Sequence, residues 1–140
     1  MSWDTQTLIH LAAYTGGGIA MGLCAMGAAI GERTRVVLVC NPNNPTGTSV
    51  GAEAFDRFAA ALPEGVILVV DEAYFEYVDA DDFVEATELR GLRERLAILR
   101  TFSKAYGLAA LRVGYAVATP DVVEHLNRLR APFNVCLLYT

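Results

Sequence analysis

Unbroken apolar runs without polar alternation constrain this chain more than any other feature. Arg35-Val-Val-Leu-Val-Cys40, Val66-Ile-Leu-Val-Val70, Leu96-Ala-Ile-Leu99 and Val113-Gly-Tyr-Ala-Val-Ala118 are short, rich in β-branched residues, and each ends in a polar or turn-forming cluster. A strand apolar on both faces needs cover on both faces, which is the signature of a buried, mostly parallel sheet. The segments between the runs supply the cover. Gly51 to Leu62 carries Ala54, Phe55, Phe58, Ala59 and Leu62 at helical spacing, and Pro63-Glu-Gly65 stops it. Phe83 to Arg95 is polar and charged, and reads as a surface helix broken at Gly91. Pro120 to Arg130 places Val122, Val123, Leu126 and Leu129 on one helical face, with Pro near its start. The fold class is therefore α/β, a mostly parallel sheet with helices on both faces.

Composition narrows the function classes. The chain has 140 residues, 54% of them hydrophobic and 19% charged, which excludes a disordered chain. A net charge of −5 argues against nucleic acid as a partner, because that needs a basic face. Three cysteines (Cys24, Cys40, Cys136) with no CxxC pair and only two histidines give neither a metal site nor a disulfide scaffold. Reduced thiols in a cytoplasmic protein are the expectation.

From Thr5 to Gly31 there is no Asp, Glu, Lys or Arg. The run is long enough to cross a bilayer. The Gly16-Gly17-Gly18 cluster, His10 and the lack of a preceding basic residue weigh against a span. A buried helix, or a stretch outside the native reading frame, is the expectation for residues 1–27. The last residues, 136–140, follow a well-patterned segment abruptly, resemble the translated end of a sequencing-library adapter, and are expected to be a non-native tail.

Ligands of open α/β sheets bind beyond the carboxyl ends of the strands. Asn41 to Gly47 follows the first run, Asp71 the second, and Ser103-Lys104 the third. Polar groups from distant sequence would thus converge on one rim. Among the basic residues Lys104 stands apart, the others all being Arg. Set beside an apolar strand, a desolvated amine is nucleophilic toward carbonyls. Thr101, Ser103 and Arg112 together suit a phosphate, since a guanidinium presents a planar fork to its oxygens. A phosphorylated aldehyde, pyridoxal 5'-phosphate, would need both an amine and an anion site. Asp71 could then hold the pyridine nitrogen protonated. Tyr74 and Asn44 could hydrogen-bond the ring's phenolic oxygen. Taken singly, these residues also read as a surface lysine, a helix cap or surface acid, a half-buried aromatic and a turn-forming Asn.

The segments VCNPNNPTGT (Val39–Thr48), VVDEAYFEYV (Val69–Val78), RTFSKAYGLAALRVGYAVA (Arg100–Ala118) and LNRLRAPFNV (Leu126–Val135) resemble histidinol-phosphate aminotransferases, within the fold-type I pyridoxal-phosphate enzymes. The resemblance runs from about Ala28 to Val135, so residues 28–135 are expected to be part of a cofactor-binding large domain. It implies that Lys104 forms the Schiff base and then carries the proton, that Asp71 pairs with the pyridine nitrogen, and that Tyr74 and Asn44 bind the phenolic oxygen. It also implies phosphate contacts from Thr101, Ser103 and Arg112, and a substrate-side place for Asn134. The reaction implied moves an amino group between histidinol phosphate plus 2-oxoglutarate and imidazole-acetol phosphate plus glutamate, in a homodimeric parent enzyme. Nothing before Ala28 matches the family's phosphate-cupping helix start or ring-stacking aromatic. A fragment that binds cofactor weakly and does not turn over is therefore the expectation. An aromatic-amino-acid aminotransferase, a threonine-phosphate decarboxylase and an inactive remnant are the alternatives.

Overall fold

A computed structural model of the chain describes residues 8–11, 33–83, 85–91 and 93–131. The elements are β1 (Leu8–Leu11), β2 (Val36–Cys40), α1 (Ala52–Ala61), β3 (Ile67–Asp71), β4 (Leu96–Thr101), β5 (Gly114–Ala118) and α2 (Pro120–Leu129). They build a five-stranded sheet whose spatial order equals the chain order. The pairs β1–β2, β2–β3 and β3–β4 are parallel, and β4–β5 is antiparallel. All four apolar runs form strands, and the expected sheet is present. Two expectations need correction. Leu8–Leu11, in the stretch expected to be a buried helix or to lie outside the native reading frame, is not helical but a strand paired along β2. An uncharged apolar run suits a strand beside a buried neighbour as well as it suits a helix. Residues 83–95 hold a 3₁₀ stretch at Ala86–Gly91 rather than an α-helix, so β3 and β4 are joined without a covering α-helix among the described residues. The physical reason is that Ala86 and Arg93 are buried, drawn inward by partners far away in sequence.

Register makes the two faces of the sheet unequal. Val37, Val39, Leu68, Val70, Leu96 and Ile98 point one way and are almost fully buried, packed with Phe55, Phe58, Ala59 and Leu62 of α1. Burying side chains of this size contributes roughly 1.5–3 kcal/mol each. On the opposite face a smaller cluster joins Val122 of α2 to Ala97, Ala118 and Val69. Helices thus cover both faces, α1 closely and α2 at the β4–β5 end. Elsewhere on that second face Val36, Leu38, Cys40 and Asp71 remain half-buried.

Helix α1 ends because Pro63 pushes Leu62 into the extended region (φ −68°, ψ 136°). That leaves helix-end carbonyls without intrahelical donors. Arg93 supplies them. Its buried guanidinium donates to the carbonyls of Ala59 (3.2 Å), Leu62 (3.2 Å) and Pro63 (3.0 Å), and to that of Val66 at the start of β3. A cation at the negative end of a helix dipole is also favourable. Burial lowers the pKa of this guanidinium.

Candidate active site

Parallel register brings the carboxyl ends of β2, β3 and β4 side by side, with Cys40 opposite Asp71 and Asp71 opposite Leu99. The loops that follow them therefore share one rim. After β2, Asn41 is buried, and its side-chain oxygen accepts the Val50 N–H at 2.8 Å, folding the proline-rich loop back on itself. Gly47 takes a positive φ of 68° there, a conformation that suits glycine. This loop carries Asn44 outward, and its amide donates to Tyr74 Oη at 3.1 Å. The Lys104 Nζ lies over the same phenol ring, 4.8 Å from its centroid. Three residues from three different strand tips are thereby in contact.

Asp71 terminates β3 on the half-open face. Its Oδ1 accepts the Ala73 N–H at 3.0 Å, which turns the chain toward Tyr74. Neighbouring Cys40 has its thiol pKa pushed up, first by burial and also by the Asp71 charge, against a lowering hydrogen bond from Asn44. At the tip of β4 the Thr101 hydroxyl accepts the Ser103 N–H at 3.0 Å and reaches the Val113 carbonyl at 3.4 Å, so it shapes the loop from Phe102 to Val113. Arg112 closes that loop in the left-handed region (φ 51°), and its Nη1 donates to the Ala109 carbonyl at 2.9 Å. Lys104 and Arg112 are both exposed. The apolar surround expected for the lysine is not present, although its amine has no hydrogen-bond or ion-pair partner among the described residues.

The structure thus joins Asn44, Tyr74 and Lys104 directly and sets Asp71, Thr101 and Ser103 on adjoining strand ends. Arg112 sits at the far end of the Lys104 loop, engaged with its own turn. Asn134 lies outside the described residues. A hollow of about 390 Å³ opens beside Asn44 and Tyr74, walled by Pro42, Pro45, Tyr77 and Val78.

Beneath the rim lies an ion network that sequence reasoning missed. Glu72, almost fully buried, accepts from Arg100 Nε (2.9 Å) and Nη2 (2.7 Å) at Oε2, and from the Ala86 N–H (2.8 Å) at Oε1. Glu85 accepts from the same guanidinium at 2.7 Å, and the Arg100 carbon Cζ stands 4.1 Å from the centroid of the Phe75 ring. Burial pushes the Glu72 pKa up, opposed by the Ala86 N–H and by Arg100. Glu85 is shifted down by the Thr87 hydroxyl and by Arg100. Burial would lower the Arg100 pKa, but its bonds to Glu72 and Glu85 raise it instead. An acid directly after Asp71 and a base directly after an apolar strand were the available signals.

The chemistry of these groups fits pyridoxal phosphate. An amine with no hydrogen-bond or ion-pair partner among the described residues lies over a phenol that an amide also contacts, and a carboxylate ends the neighbouring strand with one oxygen committed. Two hydroxyl groups and a guanidinium flank the lysine within the twelve residues from Thr101 to Arg112. Comparison with known proteins supports the family and the cofactor. The family model described as aminotransferase class I and II matches residues 6–139. Histidinol-phosphate aminotransferase of Moorella thermoacetica is 56% identical over 117 residues, covering 83% of this chain and 30% of that protein. An aromatic amino acid aminotransferase of Nocardia farcinica is 50% identical over 118 residues, covering 83% of this chain and 33% of that protein. The crystal structure of histidinol-phosphate aminotransferase from Sinorhizobium meliloti in complex with pyridoxal-5'-phosphate superposes with a TM-score of 0.73 at 39% identity, over 81% of this chain and 31% of that one. The chain spans about 30% of the length of the curated relatives it matches. With three strand tips, one contacting triad and a family model over nearly its whole length in agreement, the chain belongs to the aminotransferase class I and II family.

Proposed function

We propose that this chain forms the cofactor-holding face of a histidinol-phosphate:2-oxoglutarate aminotransferase. One observation carries the reading: the chain's single lysine lies over the Tyr74 ring while Asn44 bonds that residue's hydroxyl. When bound, pyridoxal phosphate supplies an aldehyde and an electron-accepting ring that stabilises negative charge at the carbon bearing the amino group. Lys104 Nζ would hold the aldehyde and would carry the proton at the substrate's reacting carbon. Asp71 would keep a proton on the ring nitrogen, because a carboxylate favours the charged form of its neighbour. Tyr74 Oη and the Asn44 amide orient the ring by its phenolic oxygen, pre-ordered by their mutual hydrogen bond. Thr101, Ser103 and Arg112 would contact the phosphate, and Thr101 also holds the loop in shape. The substrates are small molecules, an amino-acid-like phosphate and 2-oxoglutarate.

Borohydride reduction in the presence of pyridoxal phosphate tests the proposal. Peptide mass mapping should place the adduct on Lys104, and Lys104→Ala should leave none there and abolish the accompanying absorbance change. Label confined to the amino terminus in the parent chain would overturn the reading. Histidinol phosphate should then perturb the absorbance of the loaded protein more than phenylalanine does. The reverse order would favour the aromatic substrate class carried by the relative from Nocardia farcinica.

A further inference from the structure

We propose that Glu72 and Arg100 are positioning residues for the candidate site, a buried crosslink that holds Lys104 over Tyr74. This deepens the function proposed above and rests on Lys104 being the working amine.

The argument is one of adjacency. Glu72 follows Asp71 in the chain, and Arg100 precedes Thr101. The Glu72 N–H donates to the Leu99 carbonyl at 2.9 Å, so backbone and side chain both tie the end of β3 to the end of β4. Glu72 Oε1 takes the Ala86 N–H, which anchors the returning chain as well. On its other side the Arg100 guanidinium rests on Phe75, the immediate neighbour of Tyr74. One guanidinium therefore fixes the strand tip that leads to Lys104 and the turn that presents Tyr74. The pair faces the α1 side of the sheet and Asp71 faces the other, so the crosslink acts from behind without reaching the rim.

A purely stabilising role predicts only a lower unfolding midpoint. A positioning role also predicts that Lys104 leaves the Tyr74 ring while the fold persists. Because Lys104 is the single lysine, reductive ¹³C-methylation of the chain gives one side-chain NMR signal besides the amino terminus. Dimethylation keeps the charge. In the parent chain this signal should lie upfield of a free dimethyl-lysine through the ring current of Tyr74, and Tyr74→Leu should remove the displacement. Glu72→Gln and Arg100→Gln should each lose at least half of it. Arg93→Gln, which removes a different buried guanidinium, should lower the midpoint and leave the displacement at its parent value. Should Glu72→Gln and Arg100→Gln fail to fold, Phe75→Leu decides: loss of the displacement supports the proposal, and the parent value overturns it. Parent-like displacement in folded Glu72→Gln and Arg100→Gln, an equal loss in Arg93→Gln, or no displacement in the parent would each overturn it. No pyridoxal phosphate is present in these samples, so this result and failure of cofactor attachment are separate outcomes.

Discussion

At the level of single residues, the rim contains a thiol whose behaviour follows from its place. Cys40 lies in register with Asp71 and is half-buried, and its pKa is raised above the usual 9.0 by burial and by that neighbouring charge. The folded protein therefore holds the thiol proton more tightly than the unfolded chain does. The stability this contributes is fully present below the unfolded value and is lost as pH rises through the higher folded value. Chemical denaturation between pH 7 and 10.5 should show a midpoint that falls above pH 9, and Cys40→Ala should flatten the fall. A midpoint equally steep in the variant would assign the slope to other groups. The same placement predicts slow alkylation of Cys40 in the folded protein, because the thiolate is the reactive form.

Among the elements, the β4–β5 hairpin leaves the least room for change. Gly114 pairs with Thr101, and a Cβ placed on it would lie 2.7 Å from the Arg100 carbonyl oxygen. Gly114→Ala should force the strands apart and lower stability by about 1–3 kcal/mol, read as a shift in denaturant midpoint. A neutral result would mean that the hairpin relaxes freely. Strand positions could be read from the sequence because apolar runs leave few alternatives. The rim residues could be read because each follows such a run. The antiparallel direction of β5 could not, since Val113 to Ala118 is an uncharged apolar run like its parallel neighbours and its composition carries no sign of direction. Residues 83–95 misled for a related reason. Their charges suggest a solvated helix, yet Arg93 and Glu85 find partners across the fold, Arg93 at carbonyls 27 to 34 residues away and Glu85 at Arg100. Periodicity carries no record of such pairings.

Across the molecule as a whole, the rim and the core belong to one sheet, and that links any ligand held at the rim to global stability. Asn44, Tyr74 and Lys104 hang from β2, β3 and β4, the strands whose inner faces make the α1-side core. Unfolding that core must separate the three tips. A ligand held by all three and not by the unfolded chain therefore raises the free energy of unfolding by mass action, about 2.7 kcal/mol at 100 times its Kd. Phe55, fully buried at the centre of the core, sets the opposite scale, since Phe55→Ala should cost about 3–5 kcal/mol. Because Phe55 is packed among core side chains and makes no part of the rim, the two effects should add. Pyridoxal phosphate should thus restore to Phe55→Ala the same increment it gives the parent chain, and give Lys104→Ala much less. Thermal or denaturant unfolding of the parent and both variants, with and without ligand, measures all the terms. An equal increment in Lys104→Ala would move the ligand away from the rim, whereas a smaller increment in Phe55→Ala would mean that the core and the three tips are not independent.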